Sequence, residues 1–86
     1  MTGEQIKAHI ESNLPGSKVS IRDMTGTADH WEVWVVAEQF LGKPMLAQHR
    51  LVKGFFEQQI AAGTVHAFSL KTFTPTEWET RQKNAS

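Results

Sequence analysis

Hydrophobic residues recur along the chain at two spacings, which predict an alternation of helices and strands. Near the N-terminus, Ile6, Ile10 and Leu14 recur every four residues, as they would on one face of a helix. Thr2 is a suitable N-cap, because its hydroxyl can accept a backbone N–H of the first turn. A Pro-Gly pair then stops the helix. The pattern predicts a first helix over residues 2–13.

Two segments with the character of strands follow this helix. Residues 18–24 alternate between apolar and polar side chains, which predicts a strand with one solvated face. Residues 30–40 are rich in Trp and Val and predict a second strand. The loop at 25–29 is short, so the two strands are expected to form an antiparallel hairpin.

The second half of the chain changes from helix to strand and back to helix. Residues 45–62 carry apolar side chains at helical spacing, and Gly63 is a natural residue to end that helix. Residues 64–73 alternate again and predict a third strand, which can run parallel to the second because a helix connects them. Thr74 is followed by Pro and then, three residues on, by Glu; this begins a short last helix with Trp78 on its inner face.

Together these elements predict a two-layer α+β domain in the order α-β-β-α-β-α, with a three-stranded mixed sheet and helices on one face. The chain has 86 residues, enough for one small domain with a modest core. We expect this domain to span residues 1–80 and residues 81–86 to form a polar C-terminal tail.

Composition excludes several kinds of chemistry. The chain has no cysteine, which rules out disulfides, all-thiolate metal sites and a cysteine nucleophile. Nine Lys and Arg balance nine Asp and Glu, whereas a protein that binds nucleic acid through its phosphates is usually basic.

No nucleotide-binding or hydrolase motif is present, so we expect no enzymatic activity. No apolar run approaches the about 18 residues of a membrane span, so we expect a cytoplasmic protein without a membrane partner.

The four histidines remain as candidate metal ligands. His66 lies near the start of the predicted third strand, where it fits either a hydrogen-bonded structural residue or a ligand. His30 stands at the junction of the loop and the second strand, and is either simply exposed or a ligand. His9 lies one position off the apolar face of the first helix and is predicted to have a surface role; His49 is predicted to be solvated or to cap a helix.

One short region is the candidate surface for nucleic acid or a partner. This basic stretch consists of Lys43, His49, Arg50 and Lys53. It has few charges and no interleaved aromatic residues, so an ordinary solvated helix face explains it equally well. Trp31 is either a core residue or an exposed aromatic anchor for a partner, and Trp34 faces the opposite side of the same strand.

Three motifs stand in a fixed order: Phe-Leu-Gly-Lys-Pro at 40–44, His-Arg-Leu-Val at 49–52, and a long block at 65–78 that begins Val-His-Ala-Phe-Ser-Leu. In this order and spacing they resemble the BolA family, and the Gly-Lys-Pro turn is similar to that of one group within it. The resemblance runs from the first helix to Trp78. It implies a domain similar to class II KH folds, although the chain lacks the Gly-x-x-Gly loop with which a KH domain clamps nucleic acid.

The resemblance further implies a non-enzymatic role in iron–sulfur cluster trafficking or iron homeostasis. Family members pair with monothiol glutaredoxins of the CGFS type, and the heterodimer bridges a [2Fe–2S] cluster that glutathione also ligates. The histidine of the Val-His-Ala block, here His66, would be this chain's ligand. The family's second ligand comes from the loop between the first two strands, where His30 is the candidate. The isolated chain is expected to hold no cluster and to be a monomer or weak homodimer.

A second function stays open because some family members are linked to transcription. In that case the chain would be a nucleic-acid-binding regulator that uses the basic turn and helix at 43–53, with weak phosphate contact because the net charge is zero.

Overall fold

The computed structural model of the chain describes residues 1–24, 26, 30–65 and 68–85. Its helices and strands are α1 (Gly3–Asn13), β1 (Lys18–Asp23), β2 (Trp31–Val36), α2 (Met45–Gly54), α3 (Glu57–Ala61), β3 (Ser69–Phe73) and α4 (Pro75–Ala85). A short 3₁₀ helix, Glu38–Phe40, lies between β2 and α2. None of the helices in these ranges is both long and apolar enough to cross a membrane.

The three strands form one mixed sheet in the order β1-β2-β3, which confirms the predicted fold class. β1 and β2 are antiparallel, whereas β2 and β3 are parallel, with Glu32 beside Ser69 and Val36 beside Phe73. The parallel pairing is possible because helices α2 and α3 carry the chain back across the sheet. As a result, β2 and β3 begin at the same end of the sheet.

The core lies between one face of the sheet and the helices α1 and α2. Its fully buried side chains come from α1, β2, the 3₁₀ helix, α2 and the turn after α2: Ile6, Ile10, Val33, Val35, Phe40, Val52 and Phe56. Burying an aliphatic or aromatic side chain of this size contributes about 1.5–3 kcal/mol. Since Ile6 and Ile10 are both fully buried, the helical spacing of the N-terminal apolar residues identified the core face of α1 correctly.

Capping boxes confirm both predicted helix starts. The Thr2 hydroxyl accepts the Gln5 N–H at 3.1 Å, and the Gln5 side chain accepts the Thr2 N–H at 2.9 Å. At α4, the Thr74 hydroxyl accepts the Glu77 N–H at 3.2 Å and Glu77 Oε1 accepts the Thr74 N–H at 2.8 Å. Each pair satisfies two N–H groups that have no partner inside the helix.

The predicted central helix over 45–62 is divided into α2 and α3. The Phe55 N–H donates to Val52 O at 3.1 Å and the Phe56 N–H to Lys53 O at 3.0 Å, bonds that tighten the chain into a turn. Gly54, a poor helix former, precedes this turn. The break turns the Phe56 side chain into the core, where it is fully buried.

The second and third strands are also shorter than predicted. β2 ends at Val36 instead of continuing to residue 40, and β3 begins at Ser69 instead of residue 64. After β2, the Ala37 N–H donates to Phe73 O at 3.0 Å, and the 3₁₀ turn then brings Phe40 into the core. The apolar run at 30–40 therefore does not remain in the sheet to its end, because Phe40 is buried by the turn that follows β2.

The last helix differs from the prediction in its position. Its Trp78 ring lies 6.0 Å from the ring of Trp34 and 5.2 Å from that of Phe73. Trp34 alternates with the buried Val33 and Val35, so its side chain lies on the sheet face opposite the core. Helix α4 thus covers part of this second face, and the helices do not all lie on one face.

The last helix is also longer than predicted. α4 runs from Pro75 to Ala85 and so includes residues 81–85 of the segment that we interpreted as a polar tail. The Arg81 guanidinium lies 4.8 Å from the centre of the Trp34 ring. Helix α4 therefore continues past residue 80, the predicted end of the domain, and Arg81 takes part in the contact between α4 and the sheet.

Candidate functional site

His30 lies at the base of the β1–β2 hairpin, directly before β2. The Met24 N–H donates to His30 O at 2.9 Å, so the backbone of His30 helps to close the hairpin while its imidazole is exposed. On the other strand, Asp23 accepts the Gly26 N–H at 2.9 Å. His30 therefore has a fixed backbone and an accessible side chain, as a ligand to an external group requires.

His66 lies outside the described residues, so its assignment as a metal ligand stays a prediction. It directly follows Val65, which is 4% exposed, and precedes β3 by three positions. His30 stands two positions before Glu32, the β2 partner of Ser69, and so lies at the end of the sheet where β2 and β3 both begin.

The described part of the chain holds no group of three or more His, Asp or Glu side chains that could bind a metal ion. A metal centre built on the described residues would therefore need ligands from another molecule or from the residues outside those ranges.

His9 is half-buried and has a structural role in place of the predicted surface role. Its Nε2 donates to Phe55 O at 2.6 Å, and its ring lies 4.8 Å from the ring of Phe56. His9 thus joins α1 to the turn that ends α2. It stands three positions after Ile6, a spacing that also keeps side chains on one helix face and that could have placed it there.

The basic stretch lies on the turn before α2 and along α2 itself. Lys43, Arg50 and Lys53 are exposed, whereas His49 is half-buried and its Nε2 has no hydrogen-bond partner among the described residues. Burial and, to a smaller degree, the charge of Lys53 lower the pKa of His49 from its ordinary value of 6.5. His49 is therefore mainly neutral at pH 7, and it is half-buried in the middle of α2, where it is neither of the two predicted alternatives, a solvated residue or a helix cap. The basic stretch thus carries three charges.

Trp31 belongs to the core side of the sheet and not to the basic stretch. It is half-buried and packs against the core. The helix α1 approaches so closely that a Cβ on Gly3 would lie 3.1 Å from the Trp31 ring and 3.1 Å from Ile21. Trp31 is thus a packing residue at the start of β2, and it orients the strand that His30 precedes.

The sheet face opposite the core carries an aromatic cluster that sequence reasoning missed. Phe73 stacks on Trp34 at 5.7 Å, and Trp78 packs edge-on against it. Lys71 and Arg81 place their charges 5.0 and 4.8 Å from the centre of the Trp34 ring. The available signal was the alternation in β2, together with the spacing of three residues between Trp78 and Arg81 on one helix face.

The buried amide of Gln48 shapes the Gly-Lys-Pro turn, a second feature that sequence reasoning missed. Its Nε2 donates to Phe40 O at 3.2 Å and to Lys43 O at 2.8 Å, and its Oε1 accepts the Thr72 hydroxyl at 2.6 Å. Gly42 has a φ of 78°, in the left-handed region that favours glycine. One side chain therefore connects the turn, α2 and β3.

The fold and these positions define a class: a small α+β domain with a mixed three-stranded sheet, an exposed histidine at one end and a basic turn and helix beside the core. The family follows from comparison with known proteins. A family model described as BolA-like protein matches residues 4–77, so the chain belongs to the BolA family.

Individual relatives agree with this assignment. Protein BOLA2 of Arabidopsis thaliana is 36% identical over 92% of this chain and 85% of its own length. The DNA-binding transcriptional regulator BolA of Escherichia coli is 35% identical over 63% of this chain and 50% of its own length. The structure of a bolA protein homologue from Coxiella burnetii has a TM-score of 0.77 and 36% identity, covering 92% of this chain and 97% of that one. None of these three names is that of an enzyme.

Proposed function

We propose that the chain is a non-enzymatic partner that lends histidine ligands to a [2Fe–2S] cluster, which it shares with a monothiol glutaredoxin and glutathione. The observation that supports this proposal is the exposed imidazole of His30 at the end of the sheet where β2 and β3 both begin. Two chain segments that approach one end of a sheet can present their side chains to the same external group.

The chemistry of the chain fits this role. Iron–sulfur clusters are held mainly by cysteine thiolates, and this chain has none. It can therefore complete a cluster only by adding imidazoles to iron whose thiolates come from another molecule. Histidine ligation raises the reduction potential of such a centre, as in Rieske proteins. It also makes cluster binding sensitive to pH, because protons compete with the metal for the imidazole.

The surrounding residues favour a rigid donor at position 30. The hydrogen bond from the Met24 N–H to His30 O holds the backbone of His30. The next residue, Trp31, packs against Gly3 of α1. Holding the backbone in place while leaving the imidazole in solvent reduces the ordering cost when a partner arrives. In this proposal His66 supplies the principal nitrogen and His30 the second.

The test is reconstitution of the cluster in a mixture of the full chain, a monothiol glutaredoxin, glutathione, iron and sulfide. We expect the visible circular dichroism of the bridged cluster to be lost in His66→Ala and changed in His30→Ala. His49→Gln is the matched control, because it removes an imidazole from a different element and should leave the spectrum unchanged. An unaltered spectrum for His66→Ala would remove His66 from the ligand set and overturn the proposal.

A second candidate function, nucleic-acid binding, is supported by the three exposed cations of the basic stretch. No carboxylate occurs anywhere in residues 41–54, so the local charge is positive although the net charge is zero. A titration of duplex DNA against the full chain at several salt concentrations separates the two functions. A steep loss of affinity with salt from a sub-micromolar starting value would favour the regulator, whereas undetectable binding at moderate salt would favour the cluster partner.

A further inference from the structure

The turn between the 3₁₀ helix and α2, together with the first two residues of α2, exposes several large apolar side chains. Residues 41–46 are all exposed, and three of them are large and hydrophobic: Leu41 is 62%, Met45 67% and Leu46 61% exposed. Across the described residues, only Met24 and Ile60 are other large hydrophobic side chains with comparable exposure. We call residues 41–46 the apolar turn. A concentration of exposed apolar side chains in one short segment is typical of an interaction site.

The apolar turn is held in one shape. The Leu41 N–H donates to Glu38 O at 3.0 Å, and the Lys43 N–H donates to Phe40 O at 3.1 Å. The buried Gln48 side chain also donates hydrogen bonds to the carbonyls of Phe40 and Lys43. A segment that is already ordered loses little entropy when it binds, so these side chains are presented in a form ready for docking.

The charged side chains within residues 41–54 are all cations, whereas the exposed Glu38 and Glu57 lie just before and just after this segment. Lys43 lies within the apolar turn, and Arg50 and Lys53 follow on the exposed surface of α2. Residues 41–54 include no Asp or Glu. This combination of apolar side chains and cations fits a partner that offers apolar side chains and carboxylates together.

We propose that the apolar turn and Arg50 form a docking surface for an acidic amphipathic segment of a partner protein. Apolar side chains of that segment would cover Leu41, Met45 and Leu46, while its carboxylates would meet Lys43 and Arg50. This surface does not include His30 or His66, so the proposal stands independently of cluster ligation.

A short protein segment fits better than duplex DNA or a membrane. The phosphate backbone of a duplex leaves the exposed Leu41, Met45 and Leu46 uncovered. A duplex or a membrane presents an extended anionic surface, which would also be repelled by carboxylates elsewhere on this chain, since the chain's net charge is zero. A short acidic segment contacts only the local cations. Stable attachment to a bilayer needs a larger apolar or basic contribution than three side chains and three charges supply.

The test uses a synthetic helical peptide of about 15 residues, with Leu on one face and Glu on the other, titrated into the isotopically labelled full chain. We expect NMR shift changes confined to residues 41–53. Leu46→Ser should weaken binding about tenfold, because it removes the apolar contact and leaves the cations in place. Met24→Ser is the matched control: Met24 is 54% exposed but lies in the hairpin, and its loss should leave the affinity unchanged.

Charge exchange gives a second, independent readout. Arg50→Glu should weaken binding of the Glu-faced peptide and strengthen binding of an otherwise identical Lys-faced peptide. Both variants change exposed side chains, so the folded state should persist. Cluster reconstitution should be unaffected by Leu46→Ser, and peptide binding should be unaffected by His66→Ala, so failure of one proposal is distinguishable from failure of the other.

Several results would overturn the docking proposal. One is the absence of shifts at about 1 mM peptide, where even weak specific contacts are populated. Another is equal loss of affinity in Leu46→Ser and Met24→Ser. A third is that duplex DNA or vesicles of phosphatidylglycerol and phosphatidylcholine, but not the peptide, perturb residues 41–53; the surface would then serve a nucleic acid or a membrane.

Discussion

At the scale of single residues, Gln48 shows how a buried polar side chain controls an exposed surface. It is only 7% exposed, and its amide makes hydrogen bonds to Phe40, Lys43 and Thr72. A buried polar group without partners is costly, so an amide persists here because its donors and acceptor are used. Leucine of similar size would fill the space but would leave the two carbonyls and the Thr72 hydroxyl without this partner.

We therefore expect Gln48→Leu to lower the free energy of unfolding by about 2 kcal/mol, since net hydrogen bonds contribute about 1 kcal/mol each and unsatisfied groups cost more. Denaturant unfolding followed by circular dichroism measures this change. Gln58→Leu, at an exposed position of α3, is the control and should change stability by less than about 0.5 kcal/mol. Equal effects of the two substitutions would contradict the role assigned to Gln48.

The stability of the folded chain depends on pH in part through His49. Its pKa is lowered in the folded chain, first by burial and then by the charge of Lys53. The unfolded chain therefore binds this proton more readily than the folded chain. Its contribution to stability is fully present above the unfolded value of 6.5 and is lost as the pH falls from there towards the lower folded pKa.

We predict that His49→Gln reduces the loss of stability between about pH 7.5 and pH 5.5, because the variant has no proton to bind at this position. Denaturant unfolding at both pH values, compared with the unsubstituted chain, measures the difference. An NMR titration of the histidine rings provides the direct check. If His49 titrates at or above 6.5 in the folded chain, the assignment of its environment is wrong.

At the scale of elements, α4 shows that a polar helix can be held by few contacts. Its sequence contains one large apolar residue, Trp78, which packs with Phe73 against Trp34. Arg81 adds a guanidinium over the rings of Trp34 and Phe73, at 4.8 and 5.6 Å. The helix is therefore anchored through one aromatic and one cationic side chain at a spacing of three residues.

We expect Trp78→Ala to lower the free energy of unfolding by about 2 kcal/mol, below the value for a fully buried aromatic because Trp78 is half-buried. The near-ultraviolet circular dichroism of the remaining tryptophans should also decrease, since Trp34 loses its packing partner. Arg81→Ala should cost about 0.5–1 kcal/mol through the lost cation–π contact. Gln82→Ala, at an exposed position of the same helix, should leave the free energy of unfolding nearly unchanged. If Gln82→Ala and Arg81→Ala lower the free energy of unfolding equally, the cation–π contact contributes nothing.

At the scale of the whole molecule, the sheet separates three surfaces. One end of the sheet carries His30, the outer face carries the aromatic cluster of Trp34 under α4, and the turn into α2 carries apolar and basic residues. The opposite charges of the chain cancel overall, so any attraction for an anion has to come from the local basic stretch. This arrangement allows a partner at the histidine end and another at the apolar turn to bind without overlap.

Charge at this scale gives a prediction for DNA. With His49 neutral, three cations are available in the basic stretch, so the logarithm of the affinity should fall with the logarithm of the salt concentration with a slope of about −3 at most. Fluorescence anisotropy of a labelled duplex, measured at several salt concentrations, gives this slope. Arg50→Gln should reduce its magnitude by about 1. A slope well beyond −3 would show that DNA contacts cations outside the basic stretch.

Much of the fold was predictable because the relevant signals are local. The capping boxes at Thr2 and Thr74 join residues three positions apart, and the spacing of Ile6 and Ile10 defines one helix face. The element order and the mixed sheet followed from such signals, and the resemblance to the BolA family was carried by short motifs and confirmed by the family match. His30 is exposed directly before β2, at the junction of loop and strand where the sequence placed it, and its assignment as a ligand stays a prediction.

The tertiary structure alone decided the contacts between residues far apart in the chain. His9 binds a carbonyl 46 positions away, and Gln48 reaches Thr72 across α2 and β3. Helix α4 covers Trp34 because α1 and α2 occupy the other face of the sheet, a choice that no spacing within α4 encodes. Local sequence thus determined which segments are helices and strands, since backbone propensity acts over a few residues. Which polar side chains are buried and which apolar ones stay exposed depended on packing, since burial results from elements that the chain brings together only when it folds.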